Sequence, residues 1–151
     1  MTIVVGALSP TNELLERDDA LADLRTWLED AKAGRGRVVF VAGEAGVGKT
    51  ALVRRFLEEG RDRARVLVGA CDPLFTPRPL GPFVDVAQEV GGELHGLVVE
   101  GSIPYRIAEV LVQELSGPTP TILVLEDLHW ADEATLDVVR LLARRIENAN
   151  A

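Results

Sequence analysis

The chain has 151 residues with 16 basic and 24 acidic side chains, a length that suits one domain with a single sizeable core. A hydrophobic share of 47% is too high for a disordered chain, and a net charge of −8 argues against gripping nucleic acid or an anionic membrane through its own field. Cys71, the single cysteine, offers neither an internal disulfide nor a metal cluster, and points to a reducing cytosol. The apolar stretch 2–8 has no basic leader and is far too short to span a bilayer. Its β-branched residues Ile3, Val4 and Val5 read as a strand or a loose arm. Over residues 18–33, Leu21, Leu24, Trp27, Leu28 and Ala31 recur at three- and four-residue steps, predicting an amphipathic helix that stops before Gly34.

Residues 37–42 form a continuous β-rich run, expected as a strand buried on both faces of a parallel sheet. A glycine-rich turn follows, then a helix with Leu52, Val53, Phe56 and Leu57 inward. Residues 65–70 read as a second buried strand, followed by an irregular connection through Pro73, Pro77, Pro79 and Pro82. A helix is predicted from about Phe83 to Val90, broken by Gly91 and Gly92. Another is expected to be capped by Ser102, with Pro104 in its first turn and Ile107, Ala108, Val110, Leu111 and Leu115 along it. Residues 121–126 make a third buried strand, and Asp132 opens a final helix with Leu136, Val139, Leu142 and Ile146 inward. Strands alternating with helices, and no hairpin signals, define an α/β chain with a parallel sheet.

Gly43, Glu44, Ala45, Gly46, Val47, Gly48, Lys49 and Thr50 fit G-x-x-x-x-G-K-[ST] completely. The buried strand before them aims the loop at the carboxyl edge of the sheet. The glycines let successive backbone N–H groups converge without Cβ atoms in the way. The helix that follows presents its free N–H groups to the same concavity, with Ala51 in its first turn. Lys49 supplies a full positive charge for β- and γ-phosphates, and the Thr50 hydroxyl a ligand for Mg²⁺. Such a loop needs acids on a neighbouring strand, and Glu126 and Asp127 end the third one. The first acid is expected to meet the metal and the second to polarise attacking water. Here they are Glu then Asp, the reverse of the commonest order, which favours slow turnover.

The run LEDLHWADEATL at residues 125–136 resembles the Walker B region of large bacterial LuxR-type regulators with an N-terminal AAA/STAND, Orc1-like ATPase domain. Three more segments resemble that family in order: ERDDAL at 16–21, the Walker A loop at 43–50, and the CDP and RPLGP segments between Cys71 and Phe83. Leu15 stands where the opening motif usually has glycine. The resemblance implies a three-layer P-loop NTPase of the ASCE/AAA type, binding ATP or ADP with Mg²⁺ and acting as a cytoplasmic switch in transcription regulation. Lys49, Glu126 and Asp127 are then the catalytic residues, and Thr50, Glu126 and Asp127 the metal ligands. It also implies that the chain covers the front half of such a domain, incomplete at its C-terminal side, with partners in the remaining domains of a longer regulator or in self-association. The family places a sensor strand between the P-loop and Walker B strands, and the run Thr2 to Val5 is the candidate for that slot.

The other functional classes are a nucleotide-binding module without turnover, an inert remnant, and a small P-loop kinase, for which the 125–136 run is no hallmark. His129 reads as a structural residue of the turn and Trp130 as a lid packed under the loop. Asp132 reads as a helix cap, Cys71 as a buried small residue, and Arg140, Arg144 and Arg145 as a solvated or partner-contacting face.

Overall fold

The structure, a computed structural model, describes residues 2–6, 15–43, 47–73, 78–148 and 151. Strand β1 (Thr2–Gly6) precedes helix α1 (Leu15–Lys32), strand β2 (Val38–Ala42) and helix α2 (Lys49–Gly60). Strand β3 (Arg65–Ala70) is followed by three helices, α3 (Gly81–Val90), α4 (Gly92–Val99) and α5 (Pro104–Leu115). Strand β4 (Thr121–Glu126) leads through a 3-10 turn (Leu128–Trp130) into α6 (Glu133–Arg145). Among the described residues no helix is long and apolar enough to cross a membrane.

The four strands are parallel and lie in the order β2-β1-β4-β3. β1 therefore sits in the candidate slot: it runs in register with β2 from Thr2 opposite Val38 to Gly6 opposite Ala42. On its other side Thr2 faces Leu123 and Val4 faces Leu125 of β4. Successive side chains of a strand alternate between faces, and β4 shows it directly. Ile122 and Val124 enter a core with Leu21, Leu24 and Leu28 of α1 and Val53 and Phe56 of α2. Leu123 and Leu125 enter the other core, with Leu67, Phe83, Leu111, Val138 and Leu142. The helix pair α1–α2 thus covers one face and α3–α6 the other.

The expectation of three strands buried on both faces holds for β4 alone. β2 is an edge strand whose Phe40 is 63% exposed. Phe40 is level with Val4 and hence with Leu125, on the α3–α6 face, where Val38 of the same strand still packs against the core. β3 is the opposite edge, with Val68 40% exposed on the α1–α2 face. There Asp85 of α3 accepts a hydrogen bond from the Ala70 N–H at 3.3 Å, satisfying a donor at the strand end. The close approach of α3 requires Gly69: a Cβ at that position would collide with the Pro82 carbonyl oxygen and sit 2.7 Å from its carbon.

Two local expectations are corrected. Residues 92–99 form a helix where only a break was expected, and Gly91 and Gly92 (φ 75° and 57°) make the turn into it. Ile103, in extended conformation, occupies the N-cap of α5 in place of Ser102, and no side chain caps that end.

Candidate functional site

All four strands point their carboxyl ends toward one edge of the sheet, so the predicted loop and the predicted acids emerge there together. β1 separates their strands. Phe40 and Leu125 are both level with Val4, one on each side of it. Two inter-strand spacings make that separation about 10 Å, a span that accommodates phosphates and a hydrated cation.

Of the nine residues predicted to cradle phosphate, Gly43, Val47, Gly48, Lys49, Thr50 and Ala51 are described, whereas Glu44, Ala45 and Gly46 lie outside the described residues. Gly48 has φ 90°, a left-handed conformation that favours glycine, and it caps α2 without a side-chain partner. The first turn of α2 holds no acidic residue of its own to oppose the positive end of the helix dipole. Lys49 Nζ donates to the Gly43 carbonyl at 2.8 Å, which brings the ammonium back over the strand end from the helix start. Thr50 and Ala51 are exposed beside it. Gly48 through Ala51 line an open depression of about 690 Å³ together with Arg54, Arg55 and Glu58 of the same helix. Arg54 and Arg55 were not singled out from the sequence, since one helical turn beyond a P-loop they read as solvated surface.

β4 delivers the acids in different environments. Glu126 is half-buried at the strand end, and its carbonyl accepts from the Cys71 N–H at 3.1 Å. Asp127 adopts the left-handed conformation (φ 55°), which aspartate tolerates better than most residues. Its side chain is 62% exposed, and its Oδ1 lies 4.0 Å from His129 Nδ1. Trp130 does not pack under the loop: it is 43% exposed, its ring tilted against His129 with centroids 5.2 Å apart. Among the described residues, no group of three or more His, Cys, Asp or Glu is gathered closely enough to hold a metal by itself.

Asp132 acts as the expected cap and does more. It accepts from the Ala134 N–H at 3.1 Å and from the buried Thr135 hydroxyl, and also from the Leu80 N–H at 3.1 Å. Leu80, at the start of α3, has φ 57°, unusual for a bulky side chain. One carboxylate thus ties the loop after β4 to the turn that opens α3. Cys71 is buried as expected, and desolvation pushes its thiol up to about 11, helped by the nearby charges of Asp132, Asp127 and Asp72. Arg140 pairs with Asp137 at 2.7 Å and Arg145 stacks over the Tyr105 ring at 4.4 Å, so two of the three α6 arginines have partners on this surface.

Searches of curated proteins and of solved structures find no significant match. The sequence profile described as the AAA ATPase domain matches residues 13–150. With that match running from the start of α1 to the end of α6 and enclosing both the lysine-bearing loop and the acids of β4, the chain belongs to the AAA ATPase domain family.

Proposed function

We propose that the chain is a three-layer, ASCE-type P-loop module that binds MgATP and serves as a nucleotide-dependent switch with slow turnover. The observation that carries this reading is the Lys49 ammonium 2.8 Å from the Gly43 carbonyl, at the N-terminus of α2. The loop N–H groups from Gly43 to Ala51 receive the phosphates, and Lys49 moves from its carbonyl partner to their oxygens. Mg²⁺, when bound, neutralises phosphate charge. The Thr50 hydroxyl, Glu126 and Asp127 are the residues that would hold it. ADP occupies the same cradle. The resemblance at residues 125–136 extends the reading to the ATPase domain of a cytoplasmic, bacterial LuxR-type transcriptional regulator. Its further partners are then the remaining domains or a second copy.

Slow turnover is favoured over rapid hydrolysis by the state of Asp127. The exposed Asp127 carboxylate lies 4.0 Å from an exposed histidine, too far for a short hydrogen bond between the two to hold it against an attacking water. Calorimetry with MgATP on the wild type and on Lys49→Ala tests the reading. Micromolar binding weakened ten- to a hundredfold by the substitution is expected, the loss of about 1.5–3 kcal/mol from a charge-assisted contact. No binding to the wild type refutes it and leaves the inert remnant. Phosphate release near one per second from the isolated monomer would refute the slow-turnover part.

A further inference from the structure

We infer that Asp132 is a positioning residue for the acids that close β4: through its bond to Leu80 it fixes the loop into which Glu126 and Asp127 lead. This deepens the MgATP reading above and rests on it. Residues 127–131 join β4 to the cap of α6. Inside them the Trp130 N–H donates to the Asp127 carbonyl at 2.9 Å and the Ala131 N–H to the Leu128 carbonyl at 3.1 Å. The loop is therefore one closed turn, placed by what its two ends grip. None of its residues is buried, and Asp127 stands in the left-handed region with an exposed side chain.

Both ends are bonded to the stretch that leads from β3 to α3. At the first, the Glu126 carbonyl accepts at 3.1 Å from the N–H of Cys71, the residue after β3. At the second, Asp132 Oδ1 accepts at 3.1 Å from the N–H of Leu80, the residue before α3. Leu80 is a firm anchor. It is buried, as are Pro82 and Phe83 after it, and α3 is seated on β3 by the close approach of Pro82 to Gly69. Its φ of 57° is one that a bulky residue keeps only where neighbours hold it. The first tie is made by backbone and continues the sheet, whereas the second depends on one side chain. Cutting the second leaves the far end of the loop held by α6 alone. A cation that needs both acids must then order the loop as it binds, at a cost in affinity. By linkage, a ligand that prefers the ordered loop strengthens the Leu80 bond by the factor by which that bond raises its affinity.

Two substitutions in the whole chain separate the tie from the cap. Asp132→Ser keeps an oxygen to cap the Ala134 N–H but has no second one for Leu80. Asp132→Asn keeps a carbonyl oxygen in the place of Oδ1, where it accepts from Leu80 and Thr135. Calorimetry gives ATP affinity in EDTA and with Mg²⁺, and the ratio of the two is the gain given by the cation. A fraction of unfolded chain lowers both affinities alike and leaves that ratio unchanged. The gain should fall about fivefold or more in Asp132→Ser and stay within about twofold of wild type in Asp132→Asn. A wild-type gain in Asp132→Ser overturns the inference, and so does an equal loss in both variants, which assigns the effect to the charge. If Asp132→Ser does not fold, hydrogen exchange in the wild type decides. The Leu80 amide should exchange about fivefold or more slowly with MgATP but not with ATP in EDTA at equal saturation. An unchanged rate with MgATP, or equal slowing by both, overturns the inference and leaves the nucleotide reading standing. No ATP binding to the wild type overturns the nucleotide reading, and this inference with it.

Discussion

Replacing Asp132 with alanine removes three hydrogen bonds at one point, and the structure sets the size of the effect. The bond to the Ala134 N–H is a helix N-cap, whose loss costs about 1 kcal/mol. The Leu80 N–H belongs to a residue only 3% exposed, so leaving it without an acceptor costs about 1–2 kcal/mol. The Thr135 hydroxyl, on a fully buried residue, loses its partner for about 1 kcal/mol more. Because the bonds share one carboxylate and partly relax together, the expected total is about 3 kcal/mol. For a chain of this size that is a fall in Tm of about 6–12 °C, read by calorimetry or by circular dichroism at 222 nm. Asp132→Asn keeps one acceptor oxygen and should lose about 1 kcal/mol. It removes a charge that disfavours the Cys71 thiolate, so it should also lower the Cys71 pKa, while desolvation, the larger cause, remains. A loss below 1 kcal/mol in Asp132→Ala would refute the reasoning. It would mean that Leu80 holds its left-handed conformation without the carboxylate.

Gly69→Ala forces a Cβ into the Pro82 backbone, so α3 must move off β3; a loss of about 3 kcal/mol or more is expected from denaturant titration. Cys71, with a thiol raised to about 11 against 9.0 unperturbed, should resist alkylation at pH 8 until the chain unfolds. Because the folded state keeps that proton longer, its contribution to stability is whole below pH 9 and is lost between about pH 9 and 11; urea midpoints across that range check the sign. Glu126→Gln should reduce the gain in ATP affinity given by Mg²⁺ without changing affinity in EDTA. Asp127→Asn should leave both affinities and abolish residual phosphate release; the opposite pattern would exchange the two roles.

Residues close together in sequence carried most of what could be read before the fold was known. The order of Gly43, Gly48, Lys49 and Thr50 is a local requirement of a loop joining a strand to a helix, and the structure puts the strand and helix on either side of it. Asp132 was legible as a cap because capping is local, but its bond to Leu80, 52 positions away, was not. The β2 run gave no sign that Phe40 would be exposed, since five β-rich residues look alike at the centre and at the edge of a sheet. Helix α4 is not legible because two adjacent glycines signal a stop, and only seven helical residues follow them to show the spacing. The strand order depends on pairings between distant segments, which no window along the chain records.

That order has a consequence for how the molecule comes to be made. β1 precedes the other three strands in the chain, but one of its two neighbours is β4, which emerges only after α1 to α5. A βαβ unit of β1, α1 and β2 can assemble early, yet until residues 121–126 leave the ribosome β1 presents a bare parallel edge to whatever is nearby. Closing the sheet then requires contact between residues 2–4 and 123–125, far apart along the chain, the kind of pairing that slows folding most. The last strand to arrive completes the centre of the sheet rather than its rim. A nascent chain stalled before β4 would therefore carry a formed phosphate loop beside an open seam, ready to pair with another chain in the same state.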